Sequence, residues 1–218
     1  MIMRSRFDEQ LALLNKELTQ MGAMCEEIIA LAAKSLSQRD TKLTEKIFSL
    51  ETEIDNMEHS IENLCLKLLL QQQPVARDLR QISAAHKMIT DMERIGDQAS
   101  DIAEIVSYIN ADSTENFNLI CLMAESAIKM VTESVEAYVR GDVKLAKAAI
   151  SHDDAVDDYF EKVRSSLVTM ITEHPDKAKY ALDLLMIAKY FERIGDHAVN
   201  IAEWVVFSVT GFHKGESQ

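Results

Sequence analysis

The sequence predicts an all-α protein: six long helices forming two tandem, similar three-helix bundles. Three observations support this fold class: turn-forming residues are scarce, apolar residues recur at alternating steps of four and three, and the second half repeats the first. The 218 residues include six Gly and two Pro. Because a β-sandwich or barrel of that length needs a turn about every 8–12 residues, an all-β fold is excluded.

The apolar pattern and its interruptions place the first three helices. Apolar residues at the spacing typical of bundle helices occupy the ranges 7–32, 47–68 and 88–109. Asp40 and Thr41 separate the first two helices. Pro74 ends the second because its ring cannot continue a helix. The polar run 110–116 ends the third.

The second half follows the same plan. We expect a fourth helix at about 116–140, a fifth at about 143–173 and a sixth at about 176–210. Gly141 and Asp142 supply the stop and cap between the fourth and fifth helices, and Pro175 ends the fifth. The segment 211–218 is a polar C-terminal tail.

A five-residue motif marks the internal repeat. Glu-Arg-Ile-Gly-Asp occurs at 93–97 and again at 192–196, and Ile-Ala-Glu follows each copy at 102–104 and 201–203. The offset of 99 residues also aligns the apolar positions of the two helices. We therefore assign a first three-helix bundle to 1–112 and a second to 113–210.

Acidic residues spaced four apart recur in both halves. Residues at this spacing are neighbours on successive turns of a helix. Asp101 continues the stripe on the third helix, whereas Asn200 stands at the corresponding place in the second half. The candidate metal ligands are Glu51, Asp55, Glu93, Asp97, Asp101, Asp153, Asp157, Glu192 and Asp196.

Two interpretations of these acids are open. In the first, Arg94 and Arg193 neutralise Asp97 and Asp196 through salt bridges, and the acids form ordinary exposed helix faces. In the second, the repeated set binds a metal or a partner. Clusters made only of carboxylates suit magnesium, calcium, manganese or iron better than a structural zinc. The acids point sideways from the apolar seam, unlike the inward Glu-x-x-His ligands of ferritin-like bundles.

Three other residue types have simpler interpretations. Gly96 and Gly195 stand inside helices, where Gly costs about 1 kcal/mol relative to Ala, so we expect another helix or a ligand to approach closely there. His197 is expected to be exposed to solvent. The cysteines are widely spaced and fall at core positions, which indicates free thiols in a reducing compartment; they are Cys25, Cys65 and Cys121.

Charge and motif content exclude several functions. A net charge of −13 disfavours nucleic acid as a partner, because it repels phosphate backbones. No apolar stretch is long enough for a transmembrane segment, and the N-terminus has no signal-peptide core. No Gly-rich phosphate loop or nucleophile elbow is present. We therefore assign no catalytic residues and no organic cofactor.

With its doubled motif, its Gln-Gln-Pro at 72–74 and Asp-Leu-Arg at 78–80, the sequence resembles the PhoU family over essentially its whole length. The resemblance implies a cytoplasmic, non-enzymatic regulator that represses phosphate-starvation signalling. It implies partners at the inner membrane surface: a phosphate ABC transporter ATPase and a sensor histidine kinase. It also implies multinuclear metal binding by the eight paired acids, with Asn200 weakening or altering the second cluster.

Two alternatives stay open beside the regulator. One is a metal-dependent hydrolase of phosphoesters or polyphosphate that uses the same carboxylates. The other is a metal-free structural bundle that forms a homodimer. Metal identity, oligomeric state and the partner-facing surface do not follow from the sequence.

Overall fold

The computed structural model describes residues 2–38, 40–71, 74–109 and 117–212. For residues 2–5 and 71 it describes the backbone only. The described residues form α-helices and one 3-10 turn, Pro175–Lys177, and contain no strand. The helices are α1 (Ile2–Ser37), α2 (Thr41–Gln71), α3 (Ala76–Tyr108), α4 (Phe117–Arg140), α5 (Val143–Ser151), α6 (Asp153–Glu173) and α7 (Ala178–Thr210). The predicted all-α fold is confirmed.

The predicted fifth helix is divided in two. It bends at His152, so that α6 begins at Asp153. The His152 ring is held by α4: its Nδ1 lies 2.9 Å from Glu133 Oε2, and its Nε2 lies 3.3 Å from Lys129 Nζ. Asp142 caps α5 by accepting from the amides of Lys144 and Leu145, as its position after Gly141 indicates.

The remaining predicted boundaries of the second half fall within two residues of the observed ones, whereas α3 begins at Ala76, twelve residues before the apolar range 88–109. The sixth helix begins after the Pro175–Lys177 turn rather than at Asp176. The polar run 110–116, the residues 72–73 and the tail from 213 onward lie outside the described residues. The predicted boundary at 112/113 between the bundles therefore lies there too, and it stays a prediction.

The two halves share one apolar core. Helices α1, α2 and α3 pack on one another, as do α4, α6 and α7, while α3 packs on α7 and α1 on α4. Buried apolar residues run continuously from Phe7 to Val205 through both halves. Cys25 and Cys65 are buried free thiols, as predicted, whereas Cys121 is only half-buried. In the described part of the chain, no helix combines the length and apolarity that crossing a bilayer requires.

Helices α3 and α7 cross in antiparallel orientation at the centre of the molecule. Near one end of the contact, Asp91 Oδ1 accepts a hydrogen bond from Asn200 Nδ2 at 3.1 Å and lies 2.9 Å from His197 Nδ1. Near the other end, Tyr190 donates its hydroxyl to Asp101. Position 91 corresponds to 190 and 101 to 200 at the repeat offset. The contact is therefore pseudo-twofold, and both copies of the motif lie at its middle.

Candidate metal centre

The first acidic cluster joins α2 and α3. Glu51 and Asp55 lie one turn apart on α2, and Asp97 of α3 completes a group in which one carboxylate oxygen from each residue lies within 4.8 Å of the other two. All three side chains are partly buried. Burial, followed by repulsion from Asp55 and Asp97, raises the pKa of Glu51 above its ordinary value. Three like charges held this close favour a bound cation.

Glu93 borders this cluster, and Arg94 connects it to Asp97. Arg94 Nη1 donates to Asp97 Oδ2 at 2.7 Å, while its Nε lies 3.3 Å from Glu93 Oε2. Burial and the Asp97 charge raise the pKa of Glu93, although the Arg94 charge acts in the opposite direction. Because the Arg94 side chain is 53% exposed, it can rotate away at little cost when a metal replaces it.

The second acidic cluster joins α6 and α7 at the equivalent place. It consists of Asp153, Asp157, Glu192 and Asp196. Burial and then the charges of Asp157, Asp196 and Glu192 raise the pKa of Asp153 to about 6. Burial and the charge of Glu192 also raise the pKa of Asp157. Among the described residues, the first cluster is the one place where three acids, histidines or cysteines meet within 4.8 Å.

The basic side chain that pairs with the second cluster is not the one that the sequence predicts. Lys189 Nζ donates to Glu192 Oε1 at 2.6 Å and lies 5.5 Å from the centre of the Phe160 ring. The expected Arg193–Asp196 salt bridge is absent from the described residues. Arg193 lies instead near Asp101 and Tyr190 of the central crossing. The two clusters therefore have similar acids and different counter-charges.

The two glycines of the repeated motif allow close helix packing. A Cβ on Gly96 would meet Ile54 Cδ1 and Cγ2 at 3.4 Å, and one on Gly195 would meet Val156 Cγ1 at 3.3 Å. Ile54 and Val156 are equivalent positions on α2 and α6, so the expectation of a neighbouring helix is confirmed twice. At Gly195 the Cβ would also lie 3.2 Å from Asp153 Oδ1. The glycine thus makes room for a cluster carboxylate.

Asp101 and His197 both make contacts across the α3–α7 crossing that the spacing within one helix does not indicate. Asp101 bonds Tyr190 across the α3–α7 contact, and its pKa is raised by burial. It therefore lies between the two halves, one turn from Asp97. The prediction that His197 is exposed is wrong, since 20% of its side chain is accessible and its ring contacts Asp91. Both cases reflect contacts from the other half, which helical spacing within one segment does not show.

The donor set fits a hard cation. Every side chain of the two clusters offers carboxylate oxygen, and the sets are partly exposed on the sides of the helix pairs. Oxygen-only sites of this kind suit magnesium, calcium, manganese or iron. Glu51, Asp55 and Asp97 would hold the first metal, with Glu93 available once Arg94 moves. Asp153, Asp157, Glu192 and Asp196 would hold the second.

Comparison with known proteins identifies the family. Residues 18–106 and 120–205 each match the PhoU domain. These two segments contain both acidic clusters and both copies of the motif. The chain belongs to the PhoU family. The resemblance carried by the doubled motif is thereby confirmed.

Individual PhoU proteins match over nearly the whole chain. A phosphate-specific transport system accessory protein PhoU homolog of Clostridium acetobutylicum is 33% identical over 95% of this chain and 96% of its own length. One of Pseudomonas aeruginosa is 32% identical over 94% of this chain and 86% of its own length. The crystal structure of Pseudomonas aeruginosa PhoU has a TM-score of 0.89 at 32% identity, and covers 94% of this chain and all of that one. The Streptococcus pneumoniae structure has the same fold, with a TM-score of 0.89 at 22% identity over 96% of this chain and all of that one.

Proposed function

We propose that this PhoU protein is a non-enzymatic regulator of phosphate uptake and of phosphate-starvation signalling. It acts as an accessory subunit of a phosphate ABC transporter and couples the transporter ATPase to a sensor histidine kinase, which it represses when phosphate is abundant. The observation that carries the proposal is the match, over both halves, to proteins named as phosphate-specific transport accessory proteins. With these partners, the protein would act in the cytoplasm at the inner membrane surface.

The acidic clusters give this regulator a metal-dependent surface. A cation at Glu51, Asp55 and Asp97 replaces three mutually repelling charges on the side of the α2–α3 pair by a group closer to neutral. A second cation has the same effect beside α6 and α7, where Lys189 already offsets part of the charge. Metal occupancy therefore changes the electrostatic potential on the sides of both helix pairs without any hydrolysis.

A pull-down combined with a turnover assay tests the regulatory role. The full chain should retain the transporter ATPase and the cytoplasmic part of the kinase, and should release no phosphate from esters or polyphosphate. Deletion of the gene should derepress phosphate scavenging in phosphate-rich medium. Turnover that is lost in both Asp97→Ala and Asp196→Ala, with neither partner retained, would replace the regulator by the hydrolase.

A thermal titration tests the metal sites. A cation that binds only the folded chain, at a free concentration of one hundred times its Kd, adds about 2.7 kcal/mol to the free energy of unfolding. At this chain length, that gain raises Tm by about 5–10 °C. Glu51→Gln combined with Asp55→Asn should remove part of that increment. Asp154→Asn combined with Asp158→Asn is the matched control, because these acids have the same spacing and are exposed. Equal metal responses of the two double variants would contradict the assignment.

A further inference from the structure

A cavity of about 460 Å³ lies where α3 begins and where α4 and α7 end. Arg77 of α3 and Arg140 of α4 line it, together with Tyr138 and Ser208. The Tyr138 hydroxyl donates to the Gln81 carbonyl at 2.9 Å, which fixes α4 against α3. The helices that carry the two arginines are therefore held together by a partly buried hydrogen bond. The volume falls within the range of about 300–1,000 Å³ that is typical of small-molecule sites.

The charge of this cavity is opposite to that of the chain. Its described lining has two arginines and no Asp or Glu, although acids outnumber bases 36 to 23 in the sequence. Two other cavities of the described structure are acidic: one is lined by Asp40 and Glu45, the other by Glu17 and Glu53. A basic cavity in an otherwise acidic protein attracts anions in preference to cations, and this indicates an anion-binding site.

The two lining guanidinium groups remain available to a ligand. Arg77 is exposed and forms no ion pair with any described carboxylate. Arg140 Nη2 lies 2.6 Å from Glu136 Oε1, but 67% of its side chain is exposed. An exposed pair of this kind contributes at most about 1 kcal/mol and yields readily to a stronger acceptor. Both cations can therefore turn toward an anion in the cavity.

A third arginine adds positive potential beside the cavity. Arg80 lies against Gly211, with its Cδ 3.5 Å from the place of a Cβ there, and its Nε is shielded from solvent without a hydrogen-bond acceptor. Helix α3 begins at this end of the molecule, and its first turn carries one buried acid, Asp78. Because that carboxylate already offsets the positive end of the helix, the attraction for an anion comes from the arginines.

We infer that this cavity is a binding site for a small phosphoryl compound, held by Arg77 and Arg140. Guanidinium groups bind phosphate oxygens through paired, charge-assisted hydrogen bonds. The volume accommodates more than a single phosphate ion, so the class includes inorganic phosphate, pyrophosphate and nucleoside phosphates. The site is separate from the acidic clusters, and its occupancy requires no metal.

Calorimetric titration of the whole 218-residue chain in excess chelator tests the inference. The chelator removes metals from the acidic clusters, which would otherwise attract phosphate themselves. Inorganic phosphate, pyrophosphate and ATP are the ligands, and citrate is the carboxylate control. We expect one phosphoryl ligand per chain, and at least tenfold weaker binding in Arg77→Gln and in Arg140→Gln. Both residues are exposed, so the variants should keep the parent's circular dichroism spectrum.

Matched variants separate this site from other surfaces. Arg164→Gln alters an arginine that is also exposed and also paired with a nearby glutamate, Glu161, on α6, so it should keep full affinity. Asp55→Asn, in the metal centre, should also keep full affinity for the phosphoryl ligand. If the proposed metal sites prove wrong, binding of the phosphoryl ligand in this cavity is still expected. Tighter binding of pyrophosphate or ATP than of phosphate would identify a larger phosphorylated ligand, and equal binding would identify the free ion. Absence of phosphoryl binding, equal affinity in both cavity variants, or equal binding of citrate would overturn the inference.

Discussion

Replacing Asp153 by Asn should stabilise the metal-free protein at neutral pH. Burial and the neighbouring acids raise the pKa of Asp153 from 3.8 to about 6. The folded state therefore binds this proton more tightly than the unfolded state does. The resulting stabilisation is complete below about pH 4 and is lost as the pH rises through about 6. Above that pH the ionised carboxylate is a cost that Asn avoids.

The magnitude follows from the two pKa values. A difference of about two pH units corresponds to about 3 kcal/mol, and contact of Asp153 with water reduces this to about 1 kcal/mol. For a chain of this length, 1 kcal/mol raises Tm by about 2–4 °C. The advantage of Asp153→Asn over the parent should appear between pH 4 and 6 and persist at higher pH.

Thermal unfolding in chelator, from pH 3.5 to 8, measures this difference. Asp154→Asn is the control, because it removes the same charge from the same first turn of α6 but at an exposed position. It should show little gain, because its charge has the smallest effect among those that raise the pKa of Asp153, and its loss also removes a favourable helix-dipole interaction. A parallel pH profile for parent and Asp153→Asn, or a less stable Asp153→Asn at pH 7.5, would refute the reasoning.

Four further substitutions test the packing. Gly96→Ala should gain up to about 1 kcal/mol of helix propensity in urea unfolding, whereas Gly195→Ala should gain less because its Cβ approaches Asp153 at 3.2 Å; the reverse order would contradict the close-packing argument. Phe191→Ala removes a fully buried ring and should cost about 3–5 kcal/mol in the same assay, so a loss below 1 kcal/mol would be inconsistent with that burial. Tyr190→Phe removes the hydrogen bond to Asp101 and should cost about 1 kcal/mol; unchanged stability would argue against that bond.

The fold could be predicted because its information is local. Helical spacing of apolar residues and the scarcity of turn formers determine where long helices begin and end. The repeat offset of 99 residues correctly aligned Gly96 with Gly195, and the structure packs these glycines in the same way, against Ile54 and Val156. The bend at His152 escaped prediction, because no Gly or Pro marks it and its contacts come from Glu133 and Lys129 on another helix.

The candidate site was predictable in composition and less so in its charge pairing. Spacing correctly indicates that Glu51 and Asp55 share a helix face, and repetition relates Asp97 to Asp196. The meeting of Asp97 with Glu51 and Asp55 is a contact between two helices, which spacing within one helix does not show. Spacing also places Arg193 within reach of Asp196, but it carries no information about Asp101, which approaches from the other half. A long side chain such as that of Arg193 can reach several acids, so the acid nearest in sequence need not be its partner.

The polar pairs of the central crossing determine which halves can associate. Two copies of the first half, crossing as α3 and α7 do, would place Asp91 of each copy against Asp101 of the other. The second half has Tyr190 and Asn200 at these two positions, and they donate hydrogen bonds to Asp101 and Asp91. Like charges would therefore oppose an isologous dimer of the first half, whereas covalent pairing with the second half satisfies both carboxylates. The first half therefore depends on the second, which supplies the neutral hydrogen-bond donors that its two carboxylates require.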